Sequence, residues 1–350
     1  MKAFSLTPTI SHTSLVDWWF EHYTSFSSHL ISSTRSVAEC LDTYKPTNEV
    51  TSGFEFHHYD SNKSADYLVY LSSSELTRVR GVSFPYWWPE YLASLESTQT
   101  NQSFSLIPEN WLEFDFLGDN LHLVGLWQCI QEKTKLYSYD SWRKLALVLS
   151  SNFISFDALV LSSLMPSVVR HFSIPSQLGL MHGRSSKLKI MYELFCPSSI
   201  ESFISFIQTC SEDVRQLFSP IASFFSVHGS LLRPAISLDI DLNSDVLKPE
   251  HIAIEIHPLG QLGRQLLPVT DSFLSNTLAV SPDQLQNLDS LLIQLPFGQS
   301  HSFPFSNTQT RIENRARLNH LKVQYRDGGW QLKSYVKLIQ SLVVDPKLDV

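Results

Sequence analysis

Along the chain, short runs alternate apolar and polar residues, and these runs come in pairs. SGFEFHHYD (52–60) is followed by DYLVYLS (66–72), and WLEFDF (111–116) by LHLVGLWQ (121–128). LGLM (178–181) precedes KLKIMYELF (187–195), AISLDIDL (235–242) precedes HIAIEIHP (251–258), and HLKVQY (320–325) precedes WQLKSYVKLI (330–339). Period-two alternation bounded by Gly, Asn, Asp and Ser predicts antiparallel hairpins. Between the pairs the spacing changes to that of helices, over 13–33, 88–98, 140–172, 198–227 and 281–295. Ser198 and Ser199 read as a helix start, as does Ser281-Pro282.

A helix–hairpin unit therefore recurs five times, over about 13–72, 88–128, 140–195, 198–258 and 281–339. The expected fold is α+β, a single domain over 1–350 in which a ten-stranded antiparallel barrel carries its helices outside. Closure would remove the exposed edges of an open sheet. Two open α+β sandwiches are the alternative, but no Gly/Pro/Ser-rich linker divides the chain.

Each strand sorts its side chains into two sets. The apolar set must pack on the helices, which sends the polar set to the lumen. That places Lys187, Lys189, Lys322, Lys333 and Lys337 inside, opposite Glu55, Glu113, Asp115, Asp239, Asp241 and Glu255. Trp111, Tyr59 and Tyr335 share the polar face. The barrel would be a chamber rather than a filled core. In an open sheet the same charges would simply face solvent.

Composition narrows the chemistry. Glycine is scarce, 12 of 350 residues, and neither G-x-G-x-x-G nor a P-loop motif occurs, which removes the main support for nucleotide-loop enzymes. A net charge of −8 without a long basic run speaks against nucleic acid as a partner. Four dispersed cysteines and no C-x-x-C fit a reducing compartment. No signal-peptide h-region or membrane-spanning apolar stretch is found, so the expectation is a cytoplasmic protein with no membrane partner. No G-x-S-x-G, H-E-x-x-H or His/Cys metal spacing appears, and His57-His58, His251 and His257 read as hydrogen-bonding groups.

Five helix–hairpin units around a polar lumen resemble the ABBA-type aromatic prenyltransferases, over roughly residues 13–340. Lys333-Ser334-Tyr335 matches that family's K-x-Y pattern. Lys187-Leu188-Lys189 matches its basic part, while Tyr192 has the wrong parity and Lys322 is followed by Gln324 rather than Tyr. The resemblance implies transfer of a dimethylallyl or geranyl group from its diphosphate to an aromatic or peptide side-chain acceptor in a secondary-metabolite pathway. Lys187, Lys189, Lys322 and Lys333, with Arg184 at the rim, are then the diphosphate ligands, because converging cations favour loss of that leaving group. Tyr335 and Trp111 would shield the allylic cation. Glu113, and second Glu55, would take the acceptor's proton. Mg2+ is a cofactor of some members and not of others, with Asp115, Asp239 and Asp241 as candidate ligands. Two alternatives stand beside this reading. One is a non-catalytic ligand- or peptide-binding barrel that helps a biosynthetic pathway. The other is metal-dependent glycosyl transfer through the D-x-D of Asp239-Ile240-Asp241.

Overall fold

The computed structural model describes residues 10–23, 26–42, 49–60, 65–72, 75, 109–117, 120–129, 176–181, 187–241, 248–257, 267–295, 301–304 and 310–344. Two helices come first, α1 (His12–His22) and α2 (Ser28–Leu41). Ser11 and Ser27 cap them, each side chain accepting a backbone N–H three residues on. The strands are β1 (Glu49–His57), β2 (Ala65–Ser72), β3 (Glu109–Leu117), β4 (Asn120–Cys129), β5 (Gln177–Met181) and β6 (Lys187–Glu193). Then follow α3 (Pro197–Thr209), α4 (Glu212–Leu232), β7 (Pro234–Asp241), a 3-10 turn (Pro249–His251) and β8 (Ile252–Ile256). A short helix, α5 (Pro268–Ser272), runs into a π-helical turn (Phe273–Thr277) and is followed by α6 (Pro282–Gln294). The chain ends in β9 (His301–Pro304), β10 (Thr310–Arg326) and β11 (Gly329–Val344).

All the strands belong to one curled antiparallel sheet. Its order follows the chain from β1 to β8, then β10 and β11, and β11 pairs in turn with β1. The hydrogen-bonded ladder thus returns on itself, and β9 flanks β10. At one end Asp327 (φ 53°) and Gly328 (φ 79°) make the tight β10–β11 turn, where two positive φ angles match the strand twist.

Helices cover the outward face. Trp19 of α1 stacks on Phe54 of β1 with ring centroids 6.1 Å apart, and Phe54 lies 5.3 Å from Tyr67 of β2. Phe203, Phe218 and Phe225 of α3 and α4 are fully buried together with Phe273. Burying side chains of this size contributes about 1.5–3 kcal/mol each, which makes the helix-to-sheet seam the main stabilising layer. Polar ties fix the helices in place. Gln340 of β11 accepts from Ser11 N at 2.9 Å and from Ser14 Oγ at 2.8 Å. Gln284 of α6 bonds both Trp330 O and Leu332 N.

Several boundaries differ from the sequence expectation. The segment 13–33 breaks into α1 and α2, and 198–227 breaks at Cys210-Ser211, where the backbone turns extended before α4. β10 and β11 run far beyond 320–325 and 330–339 because each is paired along its full length, and such pairing outweighs the weak alternation of 310–319. The helices expected over 88–98 and 140–172 lie outside the described residues. No described helix is long and apolar enough to cross a membrane.

Candidate functional site

Inside the curled sheet lies a cavity of about 1000 Å3, lined by residues of β1–β7, the 3-10 turn, β10 and β11, with Asp60 and Asp327 of two turns among them. Strand alternation builds it. On β1, Phe54 and Phe56 pack outward, while Glu55 and His57 face in. On β3, Leu112 and Phe114 pack outward, while Glu113 and Asp115 face in. Among its described lining residues eight are Asp or Glu and four are Lys or Arg, so the cavity is acidic.

Its three described lysines each face a carboxylate. Lys333 Nζ donates to Glu55 Oε1, and Glu55 is 2% exposed. Lys189 Nζ lies 3.7 Å from Asp239 Oδ1, and Lys322 Nζ lies 3.3 Å from Glu255 Oε1. His57 Nε2 sits between Asp66 Oδ2 (3.0 Å) and Glu55 Oε1 (3.2 Å). Burial alone would raise the Glu55 carboxyl, but Lys333 and His57 hold it well below the usual range. Glu55 is therefore a weak proton acceptor at neutral pH. Glu113 is different, because its Oε2 accepts the indole N–H of Trp127 at 2.7 Å.

Asp66, Glu113 and Asp115 bring carboxylate oxygens within 4.8 Å of one another, a hard donor set of the kind Mg2+ takes. Trp127 forms part of the floor. The ammonium groups of Lys322 and Lys189 lie 5.6 Å and 5.8 Å from its ring centroid, within cation–π reach. Gly179 across the ladder makes room for that ring, since a Cβ there would meet it at 2.7 Å.

Beyond Trp127, Lys322 and Tyr335 a second cavity of about 100 Å3 opens. Trp111, Leu68, His257 and His320 belong to its walls. His320 stacks on Tyr335 with centroids 4.0 Å apart, and Lys337 lies 5.8 Å from the Trp111 ring.

Of the residues singled out from sequence, Glu55, Glu113, Asp115, Lys189, Asp239, Lys322, Lys333 and Tyr335 line the large cavity. Trp111 and Lys337 line the small one. The side chains of Lys187 and Asp241 and the whole of Arg184 lie outside the described residues. The described lysines do not form one free cationic cluster, because Lys189, Lys322 and Lys333 each face a different carboxylate. Asp239, expected as a metal ligand, faces Lys189. Asp66 and Trp127 were missed, while alternation put His320 on the polar face without marking it as a site residue. Alternation in β2 would have placed Asp66 inside, opposite Glu55.

No protein-family model matches the chain, and no curated protein matches it in sequence. Among solved structures its fold is similar to that in the crystal structure of AnaPT from Neosartorya fischeri. The likeness covers 98% of this chain and 97% of that one, at 10% sequence identity and a TM-score of 0.52. At that identity the likeness extends to the fold alone.

Proposed function

We propose that the barrel transfers an isoprenyl group from its diphosphate to an aromatic or peptide side-chain acceptor held in the large cavity. The observation that carries this reading is the acidic, aromatic-floored chamber of about 1000 Å3 inside the sheet. The fold neighbour AnaPT is an aromatic prenyltransferase, which supports the same class of reaction.

In the reaction the allylic C–O bond breaks and diphosphate leaves with the electron pair. The acceptor atom then bonds the allylic carbon and gives up a proton. Glu113 is the carboxylate placed to take that proton, since Glu55 is neutralised by Lys333. Trp127 presents a face that already attracts two ammonium groups, and with Tyr335 it would hold the allylic cation away from water. Asp66 and Asp115, beside Glu113, would hold Mg2+, which when bound would offset the charge of the diphosphate and leave Glu113 to take the proton.

Incubation with dimethylallyl or geranyl diphosphate and indole, phenol or peptide acceptors, with and without Mg2+, tests the proposal. We expect Mg2+-dependent diphosphate release and a prenylated product by mass. Glu113→Gln should lower turnover about 100-fold or more. Neither turnover nor diphosphate binding with any acceptor would overturn the reading.

A second reading, a non-catalytic binding barrel, is favoured by the pairing of Lys189, Lys322 and Lys333 with carboxylates. It predicts ligand binding without diphosphate release. Glycosyl transfer through Asp239 and Asp241 has no such support, because both sit on β7, which pairs antiparallel on each side.

A further inference from the structure

The small cavity holds a group of side chains for which the proposed reaction has no use. β8 and the residue after it place Glu255 and His257 on the lumenal side, and β10 brings His320 beside them. His320 stands two residues before Lys322 on β10 and so faces the same lumenal side, just after a register shift between Leu318 and His320. Glu255 Oε2 lies 3.9 Å from His257 Nε2 and 3.8 Å from His320 Nε2, and ligand atoms of all three residues lie within 4.8 Å of one another. At these distances neither imidazole makes a hydrogen bond to the carboxylate. The Nε2 of His257 is buried and has no hydrogen-bond partner, which is unfavourable for a ring nitrogen.

We infer that Glu255, His257 and His320 form a zinc-binding site within the barrel. Two imidazoles and one carboxylate are a ligand set that zinc takes while keeping a fourth position open. Zinc bonds of about 2.0–2.1 Å separate tetrahedral ligand atoms by roughly 3.3 Å, so each imidazole–carboxylate separation needs to close by about half an ångström. The other carboxylate oxygen, Oε1, is held by Lys322 at 3.3 Å, which leaves Oε2 for the ion. Asn319 lies 3.0 Å from Nδ1 of His320 through its side-chain amide. Turned by half a rotation, that amide accepts the Nδ1 proton and leaves Nε2 free to bind metal. The cavity of about 100 Å3 supplies space for a water as fourth ligand. This site is separate from the carboxylates of Asp66, Glu113 and Asp115, which suit a harder ion.

Metal-stripped protein dialysed against Zn2+, desalted and measured by elemental analysis tests the inference. A single retained equivalent is expected, lost in His257→Ala and in His320→Ala but kept in Asp115→Asn. Asn319→Ala should weaken binding about tenfold or more, as loss of an orienting partner does. Circular dichroism establishes that each variant is folded. Co2+ added to the unmodified chain gives a readout independent of any variant, the intense visible bands of a four-coordinate ion. No retained zinc, zinc retained equally by both histidine variants, or only the weak six-coordinate Co2+ spectrum would each overturn it.

Discussion

The large cavity and the small one share Trp127, Lys322 and Tyr335 as a common wall, yet they differ in what they ask of a histidine. On the large side His57 lies between two carboxylates, Glu55 and Asp66. Burial and Lys333 push its pKa down, but hydrogen bonds to Asp66 and Glu55 outweigh them and leave it raised. On the small side burial drives His320 to about 3, against the pull of Glu255. The same fold and the same strands thus favour a charged imidazole in one compartment and a neutral one in the other. Burial opposes the charge in both, but His57 has hydrogen bonds to two carboxylates that outweigh it, whereas His320 has the pull of Glu255 against burial, His257 and Lys322.

Removing the wall's cation should have the largest effect. Lys322→Met leaves Glu255, 5% exposed, as a buried carboxylate without its lysine, and should destabilise the metal-free chain by about 3–5 kcal/mol in urea unfolding. A loss below about 1 kcal/mol would mean that water, not the ion pair, separates the compartments. Gly179→Ala attacks the wall from its other side. The new Cβ meets the Trp127 ring, so the indole must shift and loosen its bond to Glu113. The expected cost is about 1–3 kcal/mol with a change in tryptophan emission.

The two histidines supply a test by titration. His57, with its folded pKa raised, contributes stability that is present below 6.5 and lost as pH rises through the folded value. His320, with its pKa lowered to about 3, contributes stability that is present above 6.5 and lost as pH falls toward 3. Each changes stability by up to about 1.4 kcal/mol per pH unit within its window. Imidazole NMR should show His57 titrating above 6.5 and His320 still neutral at pH 5. Matching titration curves would erase the contrast. The smallest effect belongs to Lys337→Met, which removes a cation from the Trp111 face and should cost about 0.5–1 kcal/mol while leaving His57 unmoved.

Much of the lumen could be read from alternation alone. Glu55, Glu113, Asp115, Lys189, Asp239, Glu255, Lys322, Lys333 and Lys337 all line one cavity or the other, because a strand with one helix-covered face must turn its polar set the other way. Which charge meets which was hidden. Lys189 opposes Asp239, and Lys322 opposes Glu255, only through the registers of β6 with β7 and β10 with β8, and these are set by three-dimensional pairing. Alternation put His320 on the polar face with Lys322, but not its meeting with Glu255 and His257, which comes from the pairing of β10 with β8. The starts of α2 and α4 carried a local signal, Ser27 and Ser211, which the apolar spacing on both sides overrode in the reading of single helices.

The seam between β1 and β11 carries a consequence for how the molecule is made. Glu49 pairs with Ser341, so partners in one ladder are 292 positions apart in the chain. At about 5–20 residues per second, a ribosome that has completed β1 needs roughly 15 to 60 s more to deliver its partner. Throughout that interval the edge of β1 that faces β11 has no native neighbour, and the ring cannot close until β11 has been made. A nascent chain of this design therefore depends on whatever shields that edge during translation.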